Sequence, residues 1–311
     1  MKTHLLNIEY PKIPNAVVSV GSFDGLHKGH RVVIKNLIEE AKSLNTESVV
    51  LTFEPHPRII LHSKKEQIKL LTNKEEKQLL FEKTGVDHLL VFPFTKEFSL
   101  TNPEDFIIKV LYEKIGMRKL IIGFDHFFGN NRLGNIELIK ELATKYNFQY
   151  KIVEAVNDGS EKISSTIIRN AIIAGNLSLV NNYLGHPYVI SGKVARGYQI
   201  GRKIGFPTAN LEINNPYKLL PPNGVYVVRA YLNGVWMNGM MNFGTNPTIA
   251  NSSEKKMEIH VFDLKGKIYG ESLTIALIKK IRDEITFNNV EDLKTQLEQD
   301  KIESLALLNE I

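Results

Sequence analysis

The sequence predicts an α/β domain built on a doubly wound parallel sheet, followed by a small antiparallel β-barrel with a C-terminal helix. Three observations carry this. Strand-like apolar runs alternate with helical patterns through the first half. Near Leu184-Gly185-His186-Pro187 the pattern changes to short alternating runs broken by glycine, proline and asparagine, without intervening helices. The length of 311 residues suggests about two domains, placed at 1–184 and 185–311.

Ala16 to Val20 reads as a buried parallel strand, and a helical pattern with Ile34, Leu37, Ile38, Ala41 and Leu44 on one face follows. Between them lies Ser19-Val-Gly-Ser-Phe-Asp-Gly-Leu-His-Lys-Gly-His30. Gly21, Gly25 and Gly29 let the backbone turn sharply and approach a ligand closely. The helix N-terminus offers free N–H groups and a positive dipole end, suited to phosphate. His27 and His30 sit at that mouth and can donate hydrogen bonds to phosphate oxygens. The stretch has neither the Lys-Ser/Thr ending of a P-loop nor a G-x-G-x-x-G fingerprint.

Glu47 to Phe53 reads as a second strand running into Glu54-Pro-His-Pro57, a rigid turn at a strand's C-terminal end. That turn suits a ligand-facing loop and a simple strand terminator equally. Asn73 to Lys83 is a charged amphipathic helix, Asp87 to Phe92 a third strand, and Pro103 to Ile115 a helix with proline in its first turn. Lys119 to Ile122 is a fourth strand, ending in a second glycine-punctuated loop, Gly123 to Gly134. Asp125 and Arg132 are its polar candidates, and Phe127 and Phe128 could wall an aromatic ligand. A helix over Asn135 to Tyr146 and a strand over Tyr150 to Val153 close the series. In Ser164-Ser-Thr-Ile-Ile-Arg169 the hydroxyls suit a helix N-cap, and Arg169 lies one turn in, a second anion clamp.

The second domain has strands at Tyr188 to Val194, Gly224 to Leu232, Trp236 to Phe243, Glu258 to Phe262 and Ser272 to Ile281. Asn233-Gly234 is a hairpin signal between two of them. A closing helix over Val290 to Leu308 is capped by Asn289. Thr208 and Asn210, in Pro207-Thr-Ala-Asn210, point to one face of an extended segment and are hard oxygen donors of the kind magnesium takes. Glu258, His260 and Phe262 share a strand face. Periodicity allows that face to be inside or outside the barrel.

Composition narrows the classes. Hydrophobic residues make up 43%, as in an ordinary globular protein. The absence of cysteine excludes disulfides, a thiol nucleophile and cysteine-ligated zinc. The N-terminus lacks the order of a signal peptide, and no apolar run approaches membrane-spanning length, so a cytoplasmic, non-membrane protein is expected. A net charge of +5, from 39 basic and 34 acidic residues, suits anionic ligands without demanding nucleic acid.

The His27-x-Gly-His30 form resembles the signature of the nucleotidyltransferase and class I aminoacyl-tRNA synthetase superfamily, whose members bind ATP on a Rossmann-like sheet. Across the whole chain the motifs resemble one family, the prokaryotic bifunctional riboflavin kinase/FAD synthetases. The N-terminal ones are Gly21 to His30, Phe53-Glu-Pro-His-Pro57, Gly123 to Gly134 and Ser164 to Arg169. The C-terminal ones are Gly201-Arg-Lys-Ile-Gly-Phe-Pro-Thr-Ala-Asn210, Asn223-Gly-Val-Tyr226, Asn242-Phe-Gly-Thr-Asn-Pro-Thr248 and Glu258-Ile-His-Val-Phe-Asp263. The loop departs from the family pattern at Phe127, where many members carry a polar or basic residue.

The resemblance implies two ATP- and magnesium-dependent steps: riboflavin to FMN in the barrel, then FMN to FAD with release of pyrophosphate in the N-terminal domain. It implies catalytic roles for His27, His30, Arg169 and Glu258. In the N-terminal domain, Gly21, Phe23, Asp24, Gly29, Ser164, Ser165 and Thr166 would contact ATP. In the barrel, Gly201, Arg202, Lys203 and Gly205 would do so. Flavin contacts fall on Asp125, Asn131, Arg132, Phe206, Pro207, Asn242 and Arg282, and metal ligation on Thr208 and Asn210. Riboflavin, FMN and ATP are then the partners, without nucleic acid. Two other classes fit parts of the chain: a tRNA-charging or RNA-binding protein, and a flavin-binding regulator. Against the first, there is no Lys-Met-Ser-Lys-Ser-like segment and no basic stripe interleaved with aromatics. Intact motifs on both sides argue against the second. Oligomeric state is not encoded in any of these patterns.

Overall fold

The computed structural model describes residues 1–5, 11–61, 68–124, 135–158, 161–196, 200–245 and 255–310. By contact the chain divides into two units: Met1–Ile68 with Lys77–Ser165, and Lys69–Glu76 with Thr166–Ile311.

In the first unit β1 (Lys2–Leu5), β2 (Ala16–Val20), β3 (Ser48–Glu54), β4 (His88–Pro93), β5 (Met117–Gly123) and β6 (Gln149–Val153) form one sheet. Its order is β1-β4-β3-β2-β5-β6, with every pair parallel. The chain builds outward from β2 through β3 to β4, then returns to the other side of β2. The order therefore reverses between β2 and β5, and the crevice at such a reversal is where open α/β sheets bind ligands. All five residues of β2 are buried, as its unbroken apolar run requires.

The helices of this part are α1 (Lys28–Ser43), α2 (Pro57–Leu61), α3 (Lys74–Glu82), α4 (Lys96–Ser99), α5 (Pro103–Asp105) and α6 (Ile136–Tyr146). α5 continues as a π-helical stretch, Phe106–Ile115. That stretch and α6 share a core with Val18, Val20, Leu51, Leu120 and Ile122, one face of the sheet. α1 lies outside that core, packs on β2, β3 and β5, and buries Ile34, Leu37 and Ala41. Helices thus cover both faces, as expected. Leu44 departs from the expected apolar face: it is the C-cap of α1 and is 43% exposed. A small antiparallel pair, β7 (Asn157–Asp158) and β8 (Glu161–Lys162), follows β6.

α7 (Ser165–Ile173) and α8 (Leu177–Leu184) lead to the second sheet. It comprises β9 (Tyr188–Ala195), β10 (Ala209–Glu212), β11 (Gly224–Leu232), β12 (Val235–Thr245), β13 (Lys255–Val261) and β14 (Ser272–Arg282). They close a barrel in the order β10-β13-β12-β11-β14-β9, antiparallel throughout. The β11–β12 turn uses Asn233 at φ 49° and Gly234 at φ 89°, the paired positive φ of a type I′ hairpin. α9 (Ile200–Lys203) precedes β10, and α10 (Val290–Asn309) closes the chain. The Asn289 side chain accepts the Asp292 N–H and caps α10 as expected. Leu308 of α10 packs with Phe206, Val227, Met240 and Phe262. A six-stranded barrel has room inside for side chains only, so α10 packs outside it and these side chains mark the outer face.

Several elements were not apparent in the sequence, among them α2, α4, α9 and the β7–β8 pair. β1 is a short polar edge strand, and α8 is masked by the cluster of asparagines in it. The segment Lys69–Glu76 was not apparent either: it belongs to the barrel unit although it lies between β3 and β4 in the chain. Leu70 N–H donates to Tyr217 O at 2.7 Å, and Leu219 N–H donates to Leu70 O at 2.9 Å.

Candidate active sites

The opening glycine stretch leaves β2 at the point where the sheet order reverses. Its backbone is contorted: φ is 46° at Phe23, 84° at Gly25 and 42° at Leu26. Left-handed backbone is rare for bulky residues, and such strain gathers at functional sites. His27 then caps α1, its Nδ1 accepting the His30 N–H at 3.3 Å. A nitrogen that accepts carries no proton, so in the neutral ring Nε2 carries the hydrogen. The His27 and His30 rings stack at 3.6 Å between centroids, 18° apart in plane. Phe23 meets His30 edge-on at 5.3 Å and Phe81 at 5.6 Å, which fixes the tilt of the second imidazole.

The Ser164-Ser-Thr motif is brought to this loop. Ser165 Oγ donates to Asp24 O at 2.9 Å, so the start of α7 is tied to the strand-end turn. Thr166 is exposed and Arg169 half-buried on the same helix. His56 is buried, with Nδ1 accepting the Arg58 N–H at 3.1 Å. That bond shapes the Pro57 turn, so one of its ring nitrogens is occupied by local structure. The Gly123 loop residues Asp125, Asn131 and Arg132, with Phe127 and Phe128, lie outside the described residues.

In the barrel the register decides the arrangement. Asn210 of β10 pairs with Glu258 of β13, and Glu258 pairs with Asn242 of β12. Asn242 pairs with Val225, and Val225 with Arg282. Partners across a ladder share a face. Four residues expected at the kinase site, Asn210, Glu258, Asn242 and Arg282, therefore stand in one row across the barrel. Two positions along the strands, the same face carries Val227, Met240 and His260, with Val227 and Met240 in the cluster under α10. Glu258 is thus on the outer face, half-buried. Thr208 immediately precedes β10, and alternation puts it on the side of Asn210.

The turn before Thr208 is folded tightly. Phe206 N–H donates to Gly201 O at 2.8 Å, and a Cβ at Gly201 would collide with Phe206 O. Only glycine allows that approach. His260 Nδ1 donates to Pro207 O at 2.8 Å, and its ring lies 5.2 Å from Phe206. Burial lowers the His260 pKa, and the bond to Pro207 opposes the shift. Gly205 takes φ 89° in the same turn, and Arg202 is exposed. Lys203 ends α9. Arg282 does not project freely. Its Nε and Nη2 grip Asp300 of α10 at 2.9 and 2.7 Å.

Comparison with known proteins finds two family models in succession along the chain. A family model described as FAD synthetase matches residues 10–167, and one described as riboflavin kinase matches residues 184–308. A bifunctional riboflavin kinase/FMN adenylyltransferase of Listeria monocytogenes is 38% identical over 94% of this chain and 92% of its own. Its counterpart in Bacillus subtilis is 35% identical over 99% and 96%.

The chain belongs to the bifunctional riboflavin kinase/FMN adenylyltransferase family. It is a transferase of flavin-nucleotide synthesis, with the adenylyltransferase part first and the kinase part second. A crystal structure described as a macrolide-efflux protein from Streptococcus pneumoniae shares the fold, with a TM-score of 0.81 and 30% identity over 96% of this chain and 97% of its own. Among the described residues no helix is long and apolar enough to cross a membrane.

Magnesium-bound ATP is what the motif resemblance implies, and the donor types here fit that ion. Asn210, paired with Glu258, carries an amide oxygen, and Thr208 just before it carries a hydroxyl. Among the described residues there is no cluster of three or more His, Cys, Asp or Glu that would form an all-protein cage. Magnesium takes few protein ligands and completes its shell with phosphates and water.

One residue of the adenylyltransferase part escaped the sequence reading. Lys77 is 5% exposed, and Nζ donates to Thr52 Oγ1 at 3.2 Å. No sequence signal marked it: Glu76, Lys77, Leu80 and Phe81 of α3 are all buried, and only the packing shows this. Two charges at core-facing positions of a helix are unusual unless each has a partner.

Proposed function

We propose that residues 1–184 carry FMN adenylylation and residues 185–311 carry riboflavin phosphorylation. The observation that bears most weight is the row of Asn210, Glu258 and Asn242 beside Thr208. It supports a phosphoryl-transfer site assembled from strands distant in sequence.

In the kinase step the riboflavin 5′-oxygen attacks the γ-phosphorus of ATP. The bond from that phosphorus to the β-bridging oxygen breaks, and ADP leaves. Glu258 accepts the hydroxyl proton. Thr208 and Asn210 would hold magnesium, which supplies charge neutralisation at the ATP phosphates. His260 orients the Pro207 carbonyl and so the Thr208 turn. The Gly201–Gly205 turn, with Arg202 and Lys203, receives the phosphates. Phe206, Pro207, Asn242 and Arg282 border the flavin, with Arg282 held in place by Asp300.

In the adenylyl step a phosphate oxygen of FMN attacks the α-phosphorus of a second ATP, and pyrophosphate leaves with the bridging oxygen. No protein nucleophile is needed. Residues position and neutralise. His27 offers Nε2–H, His30 is tilted by Phe23, and the N-termini of α1 and α7 add backbone donors. Arg169 supplies a guanidinium fork. Gly21, Asp24, Gly29, Ser164, Ser165 and Thr166 shape the phosphate site, and Asp125, Asn131 and Arg132 the flavin side. The protein acts in the cytoplasm on small molecules, without nucleic acid.

The test is incubation with riboflavin, ATP and magnesium, with products separated by chromatography. FMN followed by FAD is expected. The appearance of neither, with oxidised or reduced flavin, overturns the reading.

A further inference from the structure

The buried ammonium of Lys77 is joined to the phosphate loop by two hydrogen bonds in series. Nζ donates to Thr52 Oγ1 at 3.2 Å, and Thr52 Oγ1 donates to Ser22 O at 3.3 Å. Ser22 stands between Gly21 and Phe23, at the start of the strained turn that delivers His27 and His30. Thr52 lies near the end of β3 and is 1% exposed. The chain of bonds therefore runs from a buried helix position through a central strand to the half-buried start of the loop.

Charge points the same way. Asp24, in the turn itself, is 2% exposed, and Glu54 ends β3. Both carboxylates act on Lys77 through charge: burial pushes its pKa below the ordinary lysine value, and Asp24 and Glu54 oppose that shift. Two carboxylates at the mouth of a site for a polyanion repel it unless a cation stands beside them. Burying an ammonium is costly, and an apolar side chain of similar volume fills such a place as well or better. Packing alone does not account for a lysine here.

We propose that Lys77 is a positioning residue for adenylyl transfer: through Thr52 it holds the phosphate loop at Ser22, and its charge offsets Asp24 and Glu54 where ATP is received. The inference rests on the assignment of adenylylation to this loop.

The test compares full-length K77M, K77R and T52V with the wild type. It measures kcat and the ATP KM for FMN adenylylation, riboflavin phosphorylation and thermal unfolding. In K77M kcat/KM for ATP should fall on the order of ten- to a hundredfold, with a raised ATP KM. K77R should recover the KM and part of kcat. T52V keeps the charge and cuts the link, so it should lower kcat with little change in KM. Riboflavin phosphorylation should be unchanged in all three. Wild-type kcat and KM in K77M overturn the proposal. Failure of K77M to fold, or its loss of activity, together with a normal kcat in T52V also overturns it, because the lysine would then be structural only. Wild-type protein that makes no FAD overturns the underlying assignment instead.

Discussion

Lys218 Nζ lies 2.7 Å from Glu76 Oε2, with both side chains completely buried. The ammonium's other two hydrogens go to Leu71 O and Val189 O, each at 2.6 Å. Glu76 Oε1 accepts the Ser191 N–H at 2.7 Å, and Oε2 also accepts the Asn73 N–H at 2.9 Å. Burial pushes the Glu76 carboxyl up, and Lys218 and these N–H groups pull against it. The network is fully satisfied and ties residues 69–76 into the barrel unit.

Breaking one side of this pair leaves an uncompensated buried charge. E76Q should therefore lose about 3–5 kcal/mol in urea unfolding. The double variant E76L/K218M should lie near the wild type. A 185–311 fragment carries Lys218 without Glu76, so K218M should stabilise that fragment while destabilising the full chain. If K218M lowers the stability of both alike, the pair is not what holds the segment.

H30A should reduce FMN adenylylation by roughly a hundredfold and leave riboflavin phosphorylation near normal, since it removes one oriented donor from one site. The measurement is both half-reactions on the same preparation. Equal loss of the two activities would indicate a shared site or a folding defect.

E258Q should fold, bind flavin and Mg-ATP, and lose about two orders of magnitude or more in FMN formation, while making FAD from supplied FMN. T208A should instead weaken Mg-ATP binding, because it removes an oxygen ligand and not a proton acceptor. Binding titrations alongside rates separate the two. Near-normal FMN production by E258Q would return Glu258 to a structural role.

Glu40 of α1 bonds Lys119 of β5 at 2.7 Å and Lys151 of β6 at 2.9 Å. The bonds to Lys119 and Lys151 hold its carboxyl below the usual value of 4.5. A depressed carboxylate stabilises the fold fully above its unfolded pKa, and this contribution is lost as pH falls through the folded one. The stability gap between wild type and E40Q should thus be present at pH 7 and close below about pH 4.5. Thermal unfolding from pH 7 to 3 reads it. Parallel curves would remove Glu40 from the acid response.

Local chemistry made much of this protein legible. Ala16 to Val20 is an apolar run that reads as a buried strand, and it is one. Asn233-Gly234 accepts positive φ twice, and Asn289 offers an oxygen to a helix start. Each is a property of a few consecutive residues, so sequence alone determined it. Motif order in turn determined the family. The tertiary structure decided what depends on distant partners. Alternation left Glu258 free to face either way, and the packing of α10 on the outer face settled it. The row from Asn210 to Arg282 exists only through register between five strands. Glu76 and Lys77 look like surface charges of an amphipathic helix, and only the packing around α3 shows both buried. Register and burial are non-local, because they depend on which other segment supplies the missing hydrogen bond or charge.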